Sequence, residues 1–143
     1  MKQKLKSILL IDDDQATNFL HQIIIKKADC TDNLHIEYNG EAALNYLNTK
    51  MHGEYPSPEL IFLDINMPRM NGWAFLEEYQ KFNQGQRGTA VIVMLTTSLN
   101  PDDQERSKKF YAISEFRSKP NTGDDHGGHQ DLLSSEYVIH LNL

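Results

Sequence analysis

Four aspartates stand where they could do chemistry. Asp12, Asp13 and Asp14 directly follow the apolar run Ile8–Ile11, and Asp64 directly follows a second run, Leu60–Leu63. Carboxylates gathered at one place repel one another unless a cation lies among them. A hard divalent ion removes that cost, and Mg2+ prefers one or two carboxylates completed by waters and phosphate oxygens in octahedral geometry. A competing use of the trio is helix capping, in which an aspartate accepts hydrogen bonds from the first free amides and complements the positive helix end. Capping is assigned to Asp14, ahead of a helix starting at Gln15. The metal role goes to Asp12 and Asp13, because a further acid, Asp64, arrives at the matching end of another strand.

The elements that must position these acids are legible in the apolar pattern. Ile8–Ile11, Leu60–Leu63 and Ala90–Leu95 are near-continuous runs of strand length, which suits strands buried on both faces. "HIEY" (His35–Tyr38) and "SEFRS" (Ser114–Ser118) alternate polar with apolar residues, as half-exposed edge strands do. Between the strands, Phe19, Leu20, Ile23, Ile24 and Ala28 recur at helical spacing, as do Ala43, Leu44 and Leu47, and then Phe75, Leu76, Tyr79 and Phe82. Each set is expected to cover a sheet face. Trp73, Tyr79 and Phe82 read as core. A fourth helix is announced by Asn100 as N-cap, Pro101 at its first position, Asp102 and Asp103 in its first turn, and Lys108 and Lys109 near its end. With few apolar residues, it is expected to be exposed.

Strands alternating with helices imply right-handed crossovers and a parallel sheet covered on both sides. The fold class is therefore α/β, a flavodoxin-like doubly wound five-stranded parallel sheet of order 2-1-3-4-5. Ligands collect in such sheets where the carboxyl ends of strands one and three diverge. Asp12 to Asp14 and Asp64 stand at those two ends.

A chain of 143 residues is about one domain, and no repeat or linker divides it. Fourteen basic against twenty acidic residues give a formal charge of −6, and no lysine or arginine run exceeds two residues, which argues against nucleic acid and anionic lipid as partners. The only cysteine, Cys30, cannot form an internal disulfide, and no leader or long apolar span is visible. A cytoplasmic, soluble protein is expected.

"ILLIDDD", "LIFLDINMPRMNGW", "VIVMLTTS" and "EFRSKP" together resemble the receiver domain of two-component response regulators, the CheY-like superfamily, over roughly residues 5 to 120. Each fragment alone is weak; four in order, each at the end of the right strand, are specific. The resemblance implies that Asp64 is the phosphoacceptor, taking a phosphoryl group from a phosphohistidine of a sensor histidine kinase or phosphotransfer protein. It implies that Asp13 and Asp64 hold Mg2+ or Mn2+ directly, with the main-chain carbonyl of Asn66 as a third ligand and Asp12 acting largely through water. Lys119 matches the lysine that reaches a phosphate oxygen, and Lys119-Pro120 is similar to a bond the family keeps cis. Thr96 resembles the hydroxyl that moves to the phosphate and is preferred over Thr97, because it directly follows the apolar strand. Phe116 matches the aromatic that then turns inward, changing the surface of the fourth helix and fifth strand. Asn66 and Ser98 resemble positions that tune how fast water removes the phosphoryl group. Gly72 is read as backbone freedom after the "MPRMN" turn.

Other readings fare worse. "DDDQA" partly resembles the loop of haloacid-dehalogenase-like phosphatases, but Ala16 replaces the expected threonine and Asp64 has no task there. An EF-hand is excluded by the missing glycine and terminal glutamate. "HGGH" (His126–His129) offers two metal ligands in a glycine loop without further partners. A receiver-like interaction module that takes no phosphate conflicts with the full set of expected site residues. After Pro120, "NTGDDHGGHQ" reads as a loop, and "DLLSSEYVIHLNL" fits either a helix or a strand; the family favours a helix. The single receiver domain is expected to span residues 1–143 without a DNA-binding domain, as a monomer or weak dimer. "LTTS" and the long loop before strand four look most like single-domain regulators paired with sensor kinases, some of them phytochrome-type.

Overall fold

The computed structural model describes residues 4–87, 90–96, 100–109 and 113–118, the last segment by its backbone and strand pairing. In chain order the elements are β1 (Ile8–Ile11), α1 (Gln15–Ala28), β2 (Leu34–Glu37), α2 (Gly40–Leu47), β3 (Leu60–Asp64), α3 (Gly72–Tyr79), α4 (Gln84–Arg87), β4 (Val91–Thr96), α5 (Pro101–Ser107) and β5 (Ile113–Ser118). All strand pairs are parallel, in the order β2-β1-β3-β4-β5 expected from the sequence. The loop expected over 121–130 and the helix expected within 131–143 lie outside the described residues.

Period-two alternation explains why the central strands are apolar throughout. Leu9, Ile11, Ile61, Leu63, Ile92 and Met94 point to one face and pack with Ala43 and Leu47 of α2 and Trp73, Phe75, Leu76 and Tyr79 of α3. Ile8, Leu10, Leu60, Phe62, Val93 and Leu95 point to the other, where Ile25 of α1 meets them. β2, at the edge, is only half-buried along its length, as its alternating sequence requires.

α1 corrects one expectation. Its buried residues are Thr17, Asn18, His21, Ile25 and Ala28, whereas Phe19 is 64% and Ile23 46% exposed. Two sets of residues recur at helical spacing here, and the more apolar one is not the one that faces the sheet. Phe19 and Ile23 lie two positions, about 200° around the helix, from Thr17 and His21. The helix's rotation is set at its start: Asp14 caps it through the amides of Ala16 and Thr17, and the Asn18 amide donates to the main-chain carbonyl of Asp12. Ile24 and Ala28 do join the core side as expected.

A short helix, α4, was not anticipated from apolar spacing. Asn83 Oδ1 accepts from Gln86 N at 3.0 Å, and Gln86 Oε1 accepts from Asn83 N at 3.1 Å, a reciprocal capping box written N-Q-G-Q. Gln86 Nε2 also donates to Asn48 at the end of α2, and Ser57 Oγ donates to the carbonyls of Gly85 and Gln86. These polar contacts tie the amino ends of β3 and β4 together, at the opposite edge from the aspartates.

The helix expected as the fourth is therefore α5. Asn100 Oδ1 accepts from Asp102 N at 2.8 Å, Pro101 takes the first position, and no residue of the helix is buried. The Arg106 guanidinium lies 5.0 Å over the ring of Trp73, a cation–π contact between α5 and α3.

Burial pushes the Tyr79 phenol up to about 12, against a smaller opposing pull from Arg87. The folded state thus holds this proton more tightly than the unfolded chain, where tyrosine titrates near 10. Its contribution to stability is fully present below pH ~10 and is lost as the pH rises through about 12. Urea midpoints are expected to fall over that interval, by the equivalent of roughly 1–3 kcal/mol, and Tyr79→Phe should flatten the fall.

Candidate functional site

Strand register assembles the site. Ile11 pairs with Leu63, so the next residues along, Asp12 and Asp64, leave neighbouring strands side by side. Asp64 pairs in turn with Leu95, next to Thr96, and Thr96 pairs with Ser118 of β5. The carboxyl ends of four strands therefore meet at one edge of the sheet, as doubly wound folds arrange their ligand sites.

Carboxylate oxygens of Asp12, Asp13 and Asp64 all lie within 4.8 Å of one another. Asp12 and Asp64 are buried and Asp13 is exposed, so the cluster opens to solvent on one side. Two oxygens on opposite sides of Mg2+ stand about 4.2 Å apart, twice the usual bond length. The donor set, all carboxylate oxygen within little more than that span, fits a hard divalent cation. Asp14 is the N-cap and no member of the cluster.

The two buried acids are held by hydrogen bonds to the main chain. Asp12 Oδ1 accepts from Asp14 N at 2.9 Å, and Asp12 N donates to the Glu37 carbonyl at 3.2 Å. Asp64 Oδ1 accepts from Asn66 N at 3.1 Å. Asn66 is exposed two residues past the end of β3, with its main-chain N–H bonded to Asp64. Thr96 is the last residue of β4 and is 2% exposed. Thr97, Ser98, Lys119 and Pro120 lie outside the described residues, as do His126 and His129. The backbone of Phe116 runs in β5 opposite Met94, but its side chain also lies outside them.

Gly72 acts differently from its sequence reading. The left-handed residue in the "MPRMN" turn is Arg69, at φ 68°, while Gly72 opens α3 in ordinary conformation. A Cβ on Gly72 would lie 2.8 Å from the main-chain oxygen of Asp64, 2.9 Å from Met94 Cε and 3.0 Å from Ile65 Cα. Glycine is needed here for close approach: the start of α3 packs directly on the strand end that carries Asp64, and Gly72 N donates to Ile65 O at 2.8 Å. Gly72→Ala is expected to cost about 1–2 kcal/mol, the usual overpacking penalty less a gain in helix propensity, measurable as a lower urea midpoint.

Sequence reasoning also passed over Asn18 and Thr17. Thr17 Oγ1 donates to Asp14 Oδ2 at 2.5 Å, and Asn18 Nδ2 donates to Asp12 O at 2.9 Å. The available signal was polarity: two buried polar residues sit where α1 faces the sheet.

Comparison with known proteins agrees with this arrangement. The family model for the response regulator receiver domain matches residues 8–125. Response regulator Rcp1 of Synechocystis sp. is 38% identical over 101 residues, 68% of this chain and 66% of that protein, so the chain spans just under two thirds of that relative's length. The structure of the Mn2+-bound form of Rcp1 superposes with a TM-score of 0.67 at 30% identity, covering 81% of this chain and 82% of that one. A two-component response regulator from Cytophaga hutchinsonii gives 0.80 at 28% identity, over 98% and 96% of the two chains. The phosphorylated cyanobacterial phytochrome response regulator RcpA gives 0.68 at 28% identity, over 80% and 81%. Since the family match runs through both acidic strand ends and the whole described sheet, this chain belongs to the response regulator receiver domain family.

Proposed function

We propose that the chain is a single receiver domain over residues 1–143 that accepts a phosphoryl group on Asp64 from a histidine kinase or phosphotransfer protein, in a reaction that requires Mg2+. The observation that carries this reading is the meeting of Asp12, Asp13 and Asp64 within 4.8 Å at the carboxyl edge of the sheet. The Mn2+-bound form of Rcp1 and the phosphorylated RcpA are similar folds and support it. Receiver domains are signalling modules, and the chemistry proposed is acceptance of one group followed by slow hydrolysis.

A carboxylate oxygen of Asp64 attacks phosphorus, the P–N bond to the donor imidazole breaks, and its electron pair stays on that nitrogen, which later takes a proton from water. A carboxylate nucleophile has no proton to give up, so the step needs no base. Asn66 N–H, bound to Oδ1, sets the rotation of the carboxylate. Asp12, Asp13, Asp64 and the main-chain carbonyl of Asn66 would hold the ion, which when bound neutralises charge on the carboxylates and the equatorial phosphoryl oxygens. Lys119 would add a positive charge to one of those oxygens. Thr96 and Phe116 would carry the change to β5 and α5, and Asn66 and Ser98 would tune hydrolysis. α5 suits this output because it buries no residue and meets Trp73 through Arg106. The reading extends to a cytoplasmic monomer or weak dimer. Among the described residues no helix is long and apolar enough to cross a membrane.

Intact-mass measurement after incubation with acetyl phosphate or phosphoramidate tests the reading. A gain of one phosphoryl group with Mg2+, and none after chelation, is the expected result. No gain under either condition would favour a phosphate-independent interaction module, and multiple turnover of a generic phosphoester would favour a phosphatase.

A further inference from the structure

We propose that Asn18 is a positioning residue for the metal centre, acting through the Asp12–Asp13 peptide; this role rests on the metal-dependent reading above. Asn18 lies on α1, six residues beyond Asp12, and is 2% exposed. Its Nδ2 donates to the main-chain oxygen of Asp12 at 2.9 Å, and its Oδ1 has no hydrogen-bond partner among the described residues. Asparagine inside a helix is a poor helix former, and burying its amide with one end unmatched costs further free energy. Ile25 and Ala28 supply the apolar contact on the same side of α1. The bond from its side chain to the Asp12 carbonyl is therefore the feature that accounts for it.

That bond reaches the right place. The Asp12 carbonyl and the Asp13 amide belong to one planar unit, so fixing the oxygen fixes the direction in which Asp13 leaves β1. The paired register of β1 ends at Ile11, one further bond runs from Asp12 N to the Glu37 carbonyl, and the turn must hold itself beyond that point. Two further bonds close a ring around it: Asp14 N donates to Asp12 Oδ1 at 2.9 Å, and Asn18 N donates to Asp14 O at 3.1 Å. Asp14 in turn caps α1. The helix, its cap Asp14 and Asp12 are thus hydrogen-bonded into one unit, and Asn18 is the member that holds the peptide plane leading to Asp13. Without its donor the plane can turn, carrying the exposed Asp13 carboxylate away from Asp64.

The test is Mn2+ titration of the full chain, followed by the electron paramagnetic resonance signal of free Mn2+, with thermal unfolding recorded in parallel. Asn18→Leu, which keeps the volume and removes the donor, is expected to weaken Mn2+ binding about tenfold, as loss of a group that orients a metal ligand usually does. Asn18→Ala serves the same purpose should the leucine variant fail to fold. Ile25→Ala, on the same buried side of α1, should lower the unfolding temperature and leave Mn2+ affinity unchanged. If an Asn18 variant binds Mn2+ like the parent, or loses affinity only as far as Ile25→Ala does, the positioning role is overturned. If the parent itself binds no Mn2+, or binds it equally after Asp64→Asn, the metal-centred reading falls instead.

Discussion

Asp64→Asn should reduce phosphoryl labelling by acetyl phosphate at least a thousandfold, the order of loss seen when a covalent nucleophile is removed, roughly 10³ or more. The carboxamide keeps the shape of the side chain and its oxygen can still accept from Asn66 N–H, so the loop after β3 should stay in place. What disappears is the anionic nucleophile. Because Asp64 is buried at the tip of the central strand β3, a neutral substitute is not expected to unfold the domain. The comparison to make is intact mass after a fixed incubation, with circular dichroism as the check on folding. Labelling that persists in the variant would move the acceptor to another residue, and Asp12 and Asp13 would be the next candidates.

Asp13→Asn should stabilise the metal-free protein and respond less to metal than the parent does. In chelator, three carboxylates within 4.8 Å repel. Each pair at that separation is worth about 1 kcal/mol even with the screening of bulk water. Neutralising the exposed member should therefore raise the unfolding temperature of the metal-free protein. Adding Mg2+ works against that advantage. An ion at a hundred times its dissociation constant stabilises the folded state by about 2.7 kcal/mol. A variant binding tenfold more weakly gains only about 1.4 kcal/mol at the same concentration. The parent's unfolding temperature should rise well above its metal-free value, and the variant's by about half as much. Equal gains in parent and variant would show that Asp13 takes no part in holding the ion. Its place beside Asp64 would then have to be explained without a metal.

Much of the site was legible because strand ends are legible. An apolar run that stops at an aspartate marks the tip of a buried strand. The 2-1-3-4-5 order brings the tips of β1 and β3 together, so Asp12, Asp13 and Asp64 could be placed as neighbours from residues alone. Capping is equally local: Asp14 and Asn100 are recognisable from the residues within one turn after them, and both cap the helices expected of them. The receiver-domain match covers residues 8–125, close to the span of roughly 5 to 120 over which the fragments resemble the family.

What the amino-acid sequence determined by itself was the identity of the strands, their alternating faces, and the arrival of acids at two carboxyl ends. Only the tertiary structure decided how α1 turns on the sheet, why Gly72 must lack a side chain, and which residue steadies the Asp12–Asp13 peptide. Spacing along a helix tells which residues share a side, and in α1 both Phe19 with Ile23 and Thr17 with His21 and Ile25 qualify. Choosing between them took hydrogen bonds to a strand end outside the helix. Gly72 and Asn18 are similar cases: each answers to a main-chain oxygen of an acid in another element, and such distances arise only once the chain has folded.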